Sequence, residues 1–178
     1  MRKLNKIGVI LIVFILAGMG YTAYSFVFND SSENVTTVNR INGEEPINLE
    51  NYIGQKKTIL QFVAVPCECC SYSMPFIQEF IASQSDIEVI TIVFFGKERE
   101  ILDKFENEYK ATHLWGVDPK RDLANYYNVS VSPTYVFFDE KGNELGTHPY
   151  IIATSEELGQ RYEEAYESYH HESGPDNQ

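Results

Sequence analysis

The sequence predicts an α/β fold, a three-layer sandwich in which helices cover both faces of a central mixed β-sheet. Two continuous apolar runs rich in β-branched and aromatic residues, Thr58–Val65 and Ile87–Phe95, have the composition of strands that are buried on both faces. A segment with helical periodicity separates them. Strand, helix and strand of these lengths form a right-handed crossover with parallel pairing.

Two helices are predicted from apolar residues that recur on one face. The first, Tyr72–Gln84, lies between the two runs and carries Phe76, Ile77, Phe80 and Ile81. The second, Lys97–Ala111, follows the second run and carries Ile101, Leu102, Phe105 and Tyr109. Each helix can therefore bury one side against the sheet.

The second half of the chain predicts shorter elements. Leu114–Val117 is a strand, and Pro119–Tyr127 is a helix because a first helical turn accepts proline. Thr134–Asp139 and Glu144–Ile151 are strands joined by a polar turn that contains glycine, which is typical of a hairpin. Thr154–Glu157 has the pattern of a capping box and opens the last helix.

The N-terminal residues predict a membrane anchor. Residues 1–6 carry three basic side chains, and residues 7–28 contain no charged side chain over 22 positions, more than the roughly 20 needed to cross a bilayer. A cleaved signal peptide is the alternative, but the best small-x-small site, Gly18-Met19-Gly20, matches A-x-A poorly. Residues 29–46 are polar and predict a linker, residues 47–169 a single domain, and residues 170–178 a polar tail.

Charge predicts where the domain lies and which partners it avoids. Basic residues before the apolar run place the N-terminus in the cytoplasm and the rest of the chain outside the membrane. All 26 acidic residues follow the run with 11 of the 14 basic ones, so this part carries a net charge of −15. Nucleic acid and anionic lipid need a basic surface and are therefore not expected as partners.

All three cysteines lie in the stretch VPCECC, Val65–Cys70, just before the first predicted helix. Cys67 and Cys70 have C-x-x-C spacing. A helix N-terminus stabilises a thiolate, and a sulfur one turn further can attack a mixed disulfide formed at the first. A zinc site would need a second cysteine pair or a histidine pair, and a disulfide across four residues constrains the unfolded chain little. Redox chemistry is the favoured hypothesis.

Two stretches resemble the thioredoxin-like, membrane-anchored thiol-disulfide oxidoreductases of the TlpA/ResA type in the redoxin family. They are FVAVPCECCSYSMP and GVDPKRDLANYYNVSVSPTYVFFDEKGNE, and in the first Pro75 matches a family proline five residues after the second cysteine. The resemblance implies a thioredoxin-like fold over residues 47–170 and a redox-active disulfide between Cys67 and Cys70, with no other cofactor. It also implies a cis-proline at Pro133 that faces the disulfide and, with Ser132, positions the client.

Four positions depart from the family pattern. Pro66 stands where an aromatic residue usually precedes the first cysteine, and Gln61 stands where thioredoxins have a buried carboxylate. Ser73 replaces the glutamate of the ResA-like subset. Cys69 precedes the second cysteine, where proline or histidine is common. A third thiol could resolve a mixed disulfide, hold a metal or have no role, and we favour the last interpretation. Pro66, Cys69 and the neighbouring Glu68 are expected to modulate the site.

The leading functional hypothesis is a membrane-tethered, extracytoplasmic oxidoreductase. Cys67 attacks a disulfide of a client protein and Cys70 resolves the mixed disulfide. A reductant is preferred because the charge of Glu68 disfavours thiolates and makes the dithiol less oxidising, as in relatives that serve cytochrome c maturation. The expected partners are extracytoplasmic proteins with thiols or disulfides and a membrane protein that donates or accepts electrons.

Two other functions compete with this hypothesis. A copper chaperone of the Sco type could use the cysteine cluster as soft ligands, although that family has C-x-x-x-C spacing and a distant histidine, for which His148 is the candidate. A peroxidase of the peroxiredoxin type needs a threonine three residues before the attacking cysteine, where this chain has Ala64. No resident metal site is predicted.

Overall fold

The structure is a computed structural model that describes residues 36–41 and 43–172. The strands are β1 (Thr37–Val38), β2 (Ile47–Asn48), β3 (Lys57–Ala64), β4 (Ile87–Phe95), β5 (Leu114–Val117), β6 (Thr134–Phe138) and β7 (Glu144–His148). The helices are α1 (Glu68–Ser83), α2 (Glu98–Leu102), α3 (Asp122–Tyr126) and α4 (Ser155–Glu172). A 3-10 turn at Leu49–Asn51 follows β2, and a π-helical segment at Asp103–Glu108 continues α2.

The central sheet has five strands in the order β5-β4-β3-β6-β7. The strands β3, β4 and β5 are parallel, whereas β6 pairs antiparallel with β3 and β7 pairs antiparallel with β6. This arrangement confirms the predicted mixed sheet. Because parallel strands end at the same edge of a sheet, the residues that follow β3, β4 and β5 meet there. The residues that precede β6 lie at that edge too, since β6 runs the opposite way.

Alternation along β3 divides the core into two layers. Leu60 and Phe62 face a cluster with Leu123 and Tyr127 on the side of α3. Ile59 packs with Ile77, Phe80 and Tyr162, from α1 and α4, on the opposite side. Beside α1, Val63 joins a third cluster, formed by Val65, Cys70, Met74, Val93, Ile101, Phe105 and Trp115. The helices therefore cover both faces of the sheet, as predicted.

The first helix begins four residues earlier than its apolar periodicity predicts. It starts at Glu68 rather than at Tyr72, because Cys67 takes the N-cap position and its Sγ accepts the N–H of Cys70 at 3.1 Å. Sulfur is not a side-chain atom that sequence rules expect in a cap. The helix start therefore coincides with the cysteine cluster.

Two other predicted helices differ in their bounds. The helix at Lys97–Ala111 is α-helical only in α2 and then widens into the π-helical segment, where the N–H of Tyr109 bonds to the carbonyl of Lys104 at 2.7 Å. The helix predicted from Pro119 begins at Asp122 instead. The carboxylate of Asp118 caps it by accepting the N–H groups of Asp122 and Ala124 at 2.8 and 2.9 Å.

The domain extends beyond the boundaries predicted at both ends. Residues 36–41 were assigned to the linker, but Thr37 and Val38 pair with Asn48 and Ile47, and Val38 is fully buried. A single valine in a polar context has no periodicity that sequence rules detect. At the other end α4 includes His170 and His171, which were assigned to the tail. The predicted membrane helix, residues 7–28, lies outside the described residues, and no helix within residues 36–41 and 43–172 is both long and apolar enough to span a membrane.

A row of buried polar side chains crosses the sheet beneath α1. Gln61, Thr91 and Tyr135 are neighbours in register on β3, β4 and β6. The Thr91 hydroxyl donates to Gln61 Oε1 at 2.7 Å, so it accepts from His113 Nε2–H at 2.8 Å, and Gln61 Nε2 donates to the Tyr135 hydroxyl at 3.5 Å. Ser73 of α1 contacts Tyr135 and accepts the N–H of Ile152 at 3.0 Å. These bonds satisfy buried polar groups that would otherwise destabilise the fold, although His113 Nδ1 is buried without a hydrogen-bond partner.

His113 is the titratable end of this row, and burial lowers its pKa to about 4. In the unfolded chain His113 binds a proton near pH 6.5, whereas in the folded protein it stays neutral until about pH 4. Protonation therefore favours the unfolded chain, and stability falls as pH drops from 6.5 towards 4. We expect the free energy of unfolding to fall by about 2 kcal/mol from this residue between about pH 7.5 and pH 5. Urea unfolding of the wild type and of His113→Gln at both pH values measures the difference.

His171→Gln is the matched control, because His171 is exposed at the end of α4. It should keep the wild-type pH dependence, whereas His113→Gln should lose about 2 kcal/mol of it. An identical fall in stability in the His113 variant would contradict the prediction.

Candidate active site

The cysteine cluster lies at the edge of the sheet where the parallel strands end. Strand β3 ends at Ala64, and Val65 and Pro66 lead to Cys67 at the start of α1. The Ser132–Pro133 peptide bond precedes β6 and is cis, as the family resemblance implies. Because β6 is antiparallel to β3, with Thr134 opposite Phe62, Ser132 and Pro133 lie beside the end of β3. Two segments distant in sequence therefore meet at the cysteines.

Cys67 and Cys70 are joined by a disulfide, and their Cα atoms are 5.3 Å apart. Cys67 is partly exposed, whereas Cys70 is only 2% exposed and packs among apolar side chains. An external disulfide can reach Cys67 and not Cys70. Of the pair, Cys67 is therefore suited to attack a substrate and Cys70 to resolve the product from within.

The start of α1 places positive potential on Cys67. Its Sγ accepts the Cys70 N–H, one of the amide groups that a helix leaves unpaired at its N-terminus. Those groups and the helix dipole favour negative charge on the sulfur. Glu68 occupies the first position of the helix and is exposed, so its charge acts on the same sulfur in the opposite sense.

Ser132 contacts the disulfide through its side chain. Its Oγ accepts the N–H of Ala64 at 2.7 Å and lies 3.0 Å from Cys70 Sγ and 3.8 Å from Cys67 Sγ. Because the backbone N–H occupies a lone pair, the hydroxyl proton is free to be donated to sulfur. Sequence reasoning assigned Ser132 only to positioning the client and missed this contact with the sulfurs. A serine directly before the proline that the family resemblance places opposite the Cys-x-x-Cys pair could have indicated it.

The remaining predicted site residues lie close in sequence but differ in environment. Pro66 is exposed beside Cys67, and its peptide bond with Val65 is cis. Cys69 is a free, half-buried thiol. Pro133 is buried. The structure thus brings Cys67, Cys70, Ser132 and Pro133 together and leaves Glu68 at the surface.

The histidine considered as a copper ligand packs against aromatic rings. His148 on β7 stacks on Phe137 and Tyr150, with ring centroids 5.2 and 5.6 Å away. Burial lowers its pKa. Within the part of the chain that the structure describes, no three His, Cys, Asp or Glu side chains are grouped as metal ligands. No observation on these residues favours the copper alternative.

Comparison with known proteins agrees with the site. The chain is 27% identical over 107 residues to the thiol-disulfide oxidoreductase YkuV of Bacillus subtilis, an alignment that covers 57% of this chain and 71% of that protein. It is 27% identical over 89 residues to the thiol-disulfide oxidoreductase ResA of Oceanobacillus iheyensis, covering 49% of this chain and 46% of that one.

The structure is also similar to a solved thioredoxin. The pneumococcal exposed lipoprotein thioredoxin Etrx1 of Streptococcus pneumoniae superposes with a TM-score of 0.62 at 27% identity, covering 72% of this chain and 97% of that one. The Redoxin family pattern matches residues 29–157, which includes both the cysteine cluster and the cis-proline. The chain therefore belongs to the Redoxin family, and it is a thioredoxin-like thiol-disulfide oxidoreductase with a disulfide-forming pair at Cys67 and Cys70.

Proposed function

We propose that the protein is a membrane-tethered, extracytoplasmic oxidoreductase that reduces disulfides of client proteins. One observation carries the proposal: the accessible sulfur of Cys67 sits on a helix N-terminus, bonded to a buried Cys70 and opposite Ser132 and cis-Pro133. A purely structural disulfide needs neither an accessible sulfur nor a hydroxyl group placed to donate a hydrogen bond to a thiolate.

The reaction proceeds in two exchanges. The Cys67 thiolate attacks one sulfur of a client disulfide, which forms a mixed disulfide and releases the other client sulfur as a thiolate. The Cys70 thiolate then attacks Cys67 Sγ, which forms the intramolecular disulfide and releases the second client sulfur. The client gains two electrons and, from solvent, two protons, while the Cys67–Cys70 dithiol is oxidised. A membrane electron donor must then reduce the disulfide.

Ser132 and Pro133 have separate roles in this scheme. The Ser132 hydroxyl, 3.0 Å from Cys70 Sγ, stabilises the resolving thiolate inside an otherwise apolar cluster. Pro133 has no N–H, so it does not pair like other strand residues and leaves the backbone of Ser132 free to align an extended client segment.

Two features support a tethered reductant. The charge of Glu68 beside Cys67 disfavours the dithiolate, which shifts the equilibrium towards the disulfide and makes the dithiol a better reductant. The uncharged residues 7–28 have the length of an anchor, and the pneumococcal neighbour is named as an exposed lipoprotein. Together they favour a domain held outside the membrane.

The Cys70→Ser variant should accumulate a mixed disulfide with its client, because the remaining thiol, Cys69, does not face Cys67 in the folded first turn of α1 and cannot resolve the bond there. Cys67→Ser, the matched control, should trap nothing, since the accessible nucleophile is lost. Non-reducing electrophoresis followed by mass spectrometry of the adduct measures this. Equal trapping by both variants would contradict the assignment of Cys67 as the attacking residue.

The Glu68→Gln variant should have a more oxidising reduction potential than the wild type, by about 10 to 20 mV, because removing the charge stabilises the thiolates. Equilibration with glutathione buffers measures the potential. Glu79→Gln, at an exposed site further along α1, is the control and should leave the potential unchanged. A wild-type potential near the −120 mV of strong oxidants would refute the reductant role.

The full chain should sediment with membranes after alkaline carbonate extraction, and protease added outside cells stripped of their wall should digest the domain. Deletion of residues 7–28 should release the domain from the pellet, because the uncharged segment is the proposed anchor. Recovery of the full chain in the soluble fraction, or complete protection from external protease, would argue against the tether.

A further inference from the structure

A groove of about 690 Å³ opens beside Cys67, at the edge where β3, β4 and β5 end. Its apolar lining comes from Ile41, Val65, Pro66, Phe95, Ile101 and Val117. Val65 and Pro66 line the groove and directly precede Cys67 in the chain, so the groove begins one residue away from the reactive cysteine. Its volume falls in the range of roughly 300 to 1,000 Å³ that small-ligand sites occupy.

One wall comes from the N-terminal segment rather than from the central sheet. Val38 packs in the cluster on the α3 side, whereas Ile41 packs against the cluster beside α1. Between them Asn39 bridges to Val117, whose N–H bonds to the Asn39 carbonyl at 2.8 Å. The segment thus crosses the edge of β5 from one face of the sheet to the other. Gly116 permits the crossing, because a Cβ there would collide with Asn39 and Val38.

Another part of the lining is an exposed aromatic ring. Phe95 ends β4, and 63% of its surface is exposed, whereas the neighbouring Phe94 is buried. The Phe95 carbonyl accepts the Val65 N–H at 2.8 Å, which fixes the ring beside the segment that leads to Cys67. An exposed aromatic ring that forms part of a contiguous apolar groove indicates a contact surface.

The cations at the groove have partners already. Lys97 pairs with Glu100 at 3.2 Å. The Arg121 guanidinium lies 4.6 Å from the Phe94 ring centroid and donates to the Val129 carbonyl at 3.1 Å. With both cations paired or stacked, the remaining charge at the groove is the exposed carboxylate of Glu98, and the rest of what the groove offers an incoming chain is chiefly its apolar lining.

We propose that this groove binds an apolar side chain of the client, within about two residues of the client's reactive cysteine. The inference rests on the proposed function, because a client sulfur must reach Cys67. An extended chain advances about 3.3 Å per residue, so a residue two positions from the bonded cysteine lies about 7 Å along and reaches the groove next to Pro66. Ile41 and Phe95 then select clients by that residue.

Two synthetic peptides test the proposal. Each has one cysteine as a mixed disulfide with glutathione, and they differ only two residues after the cysteine, where one has leucine and the other asparagine. The reduced full chain should attack the leucine peptide about ten times faster, because leucine is removed from water in the groove and asparagine loses hydration there. The two side chains have similar size and no charge, so the acidity of the protein does not affect the ratio.

Variants of the groove residues test whether the groove causes the preference for the leucine peptide. Phe95→Ser and Ile41→Ser should each lower the leucine-to-asparagine rate ratio to about two or less, since each removes part of the apolar wall. Tyr126→Ser is the matched control, because Tyr126 is 66% exposed and does not line the groove, and it should keep the wild-type ratio. The ratio compares two substrates of one variant, so a partial loss of folded protein cancels.

The outcomes separate this inference from the proposed function. If the wild type attacks both peptides at one rate, or Phe95→Ser keeps the ratio, the groove does not select clients, although the cysteine chemistry stands. If the chain dimerises, and Phe95→Ser abolishes the dimer while the rate ratio stays unchanged, a second copy occupies the groove and the client proposal is overturned. If neither peptide reacts, the proposed function fails and the groove inference fails with it.

Discussion

The hydrogen bond from the Ala64 N–H to Ser132 Oγ holds the site together. It joins the last residue of β3 to the residue before cis-Pro133, across a separation of 68 positions in the chain. Antiparallel pairing between β3 and β6 brings these residues level, and Cys67, the N-cap of α1, lies three residues beyond Ala64. One hydroxyl then contacts β3 and both sulfurs, so any shift in register would separate the proton donor from the disulfide.

The choice of disulfide among three cysteines follows from helical geometry. Cys67 and Cys70 lie three residues apart at the first turn, and their Cα separation of 5.3 Å is within the range that a disulfide spans. Cys69 is next to Cys70, but adjacent positions on a helix do not face each other. Cys69 could replace Cys70 as the resolving thiol only if the first turn unwound, which would remove the cap that activates Cys67.

The sequence predicted the mixed sheet and the reactive pair because both depend on strong local patterns. Apolar runs identified β3 and β4, and the Cys-x-x-Cys spacing identified the site. The sequence did not predict the features that depend on contacts between distant residues or on an unusual cap. The side-chain role of Ser132 needs the β3–β6 register, and the sulfur cap at Cys67 has no counterpart in capping preferences. The packing of Val38 and Ile41 was hidden by the polar residues around them.

The segment that covers the outer strand β5 has two effects: it protects unpaired backbone groups of that strand, and it forms part of the proposed client surface. Strand β5 lies at one end of the sheet and would expose unpaired backbone groups, which invite pairing with other chains. The N-terminal segment covers that edge through the Asn39–Val117 bridge, and the same crossing delivers Ile41 to the groove. Because a side chain placed by an edge-covering segment can change without disturbing the central strands, client selection can vary while Cys67, Cys70 and Ser132 keep their geometry.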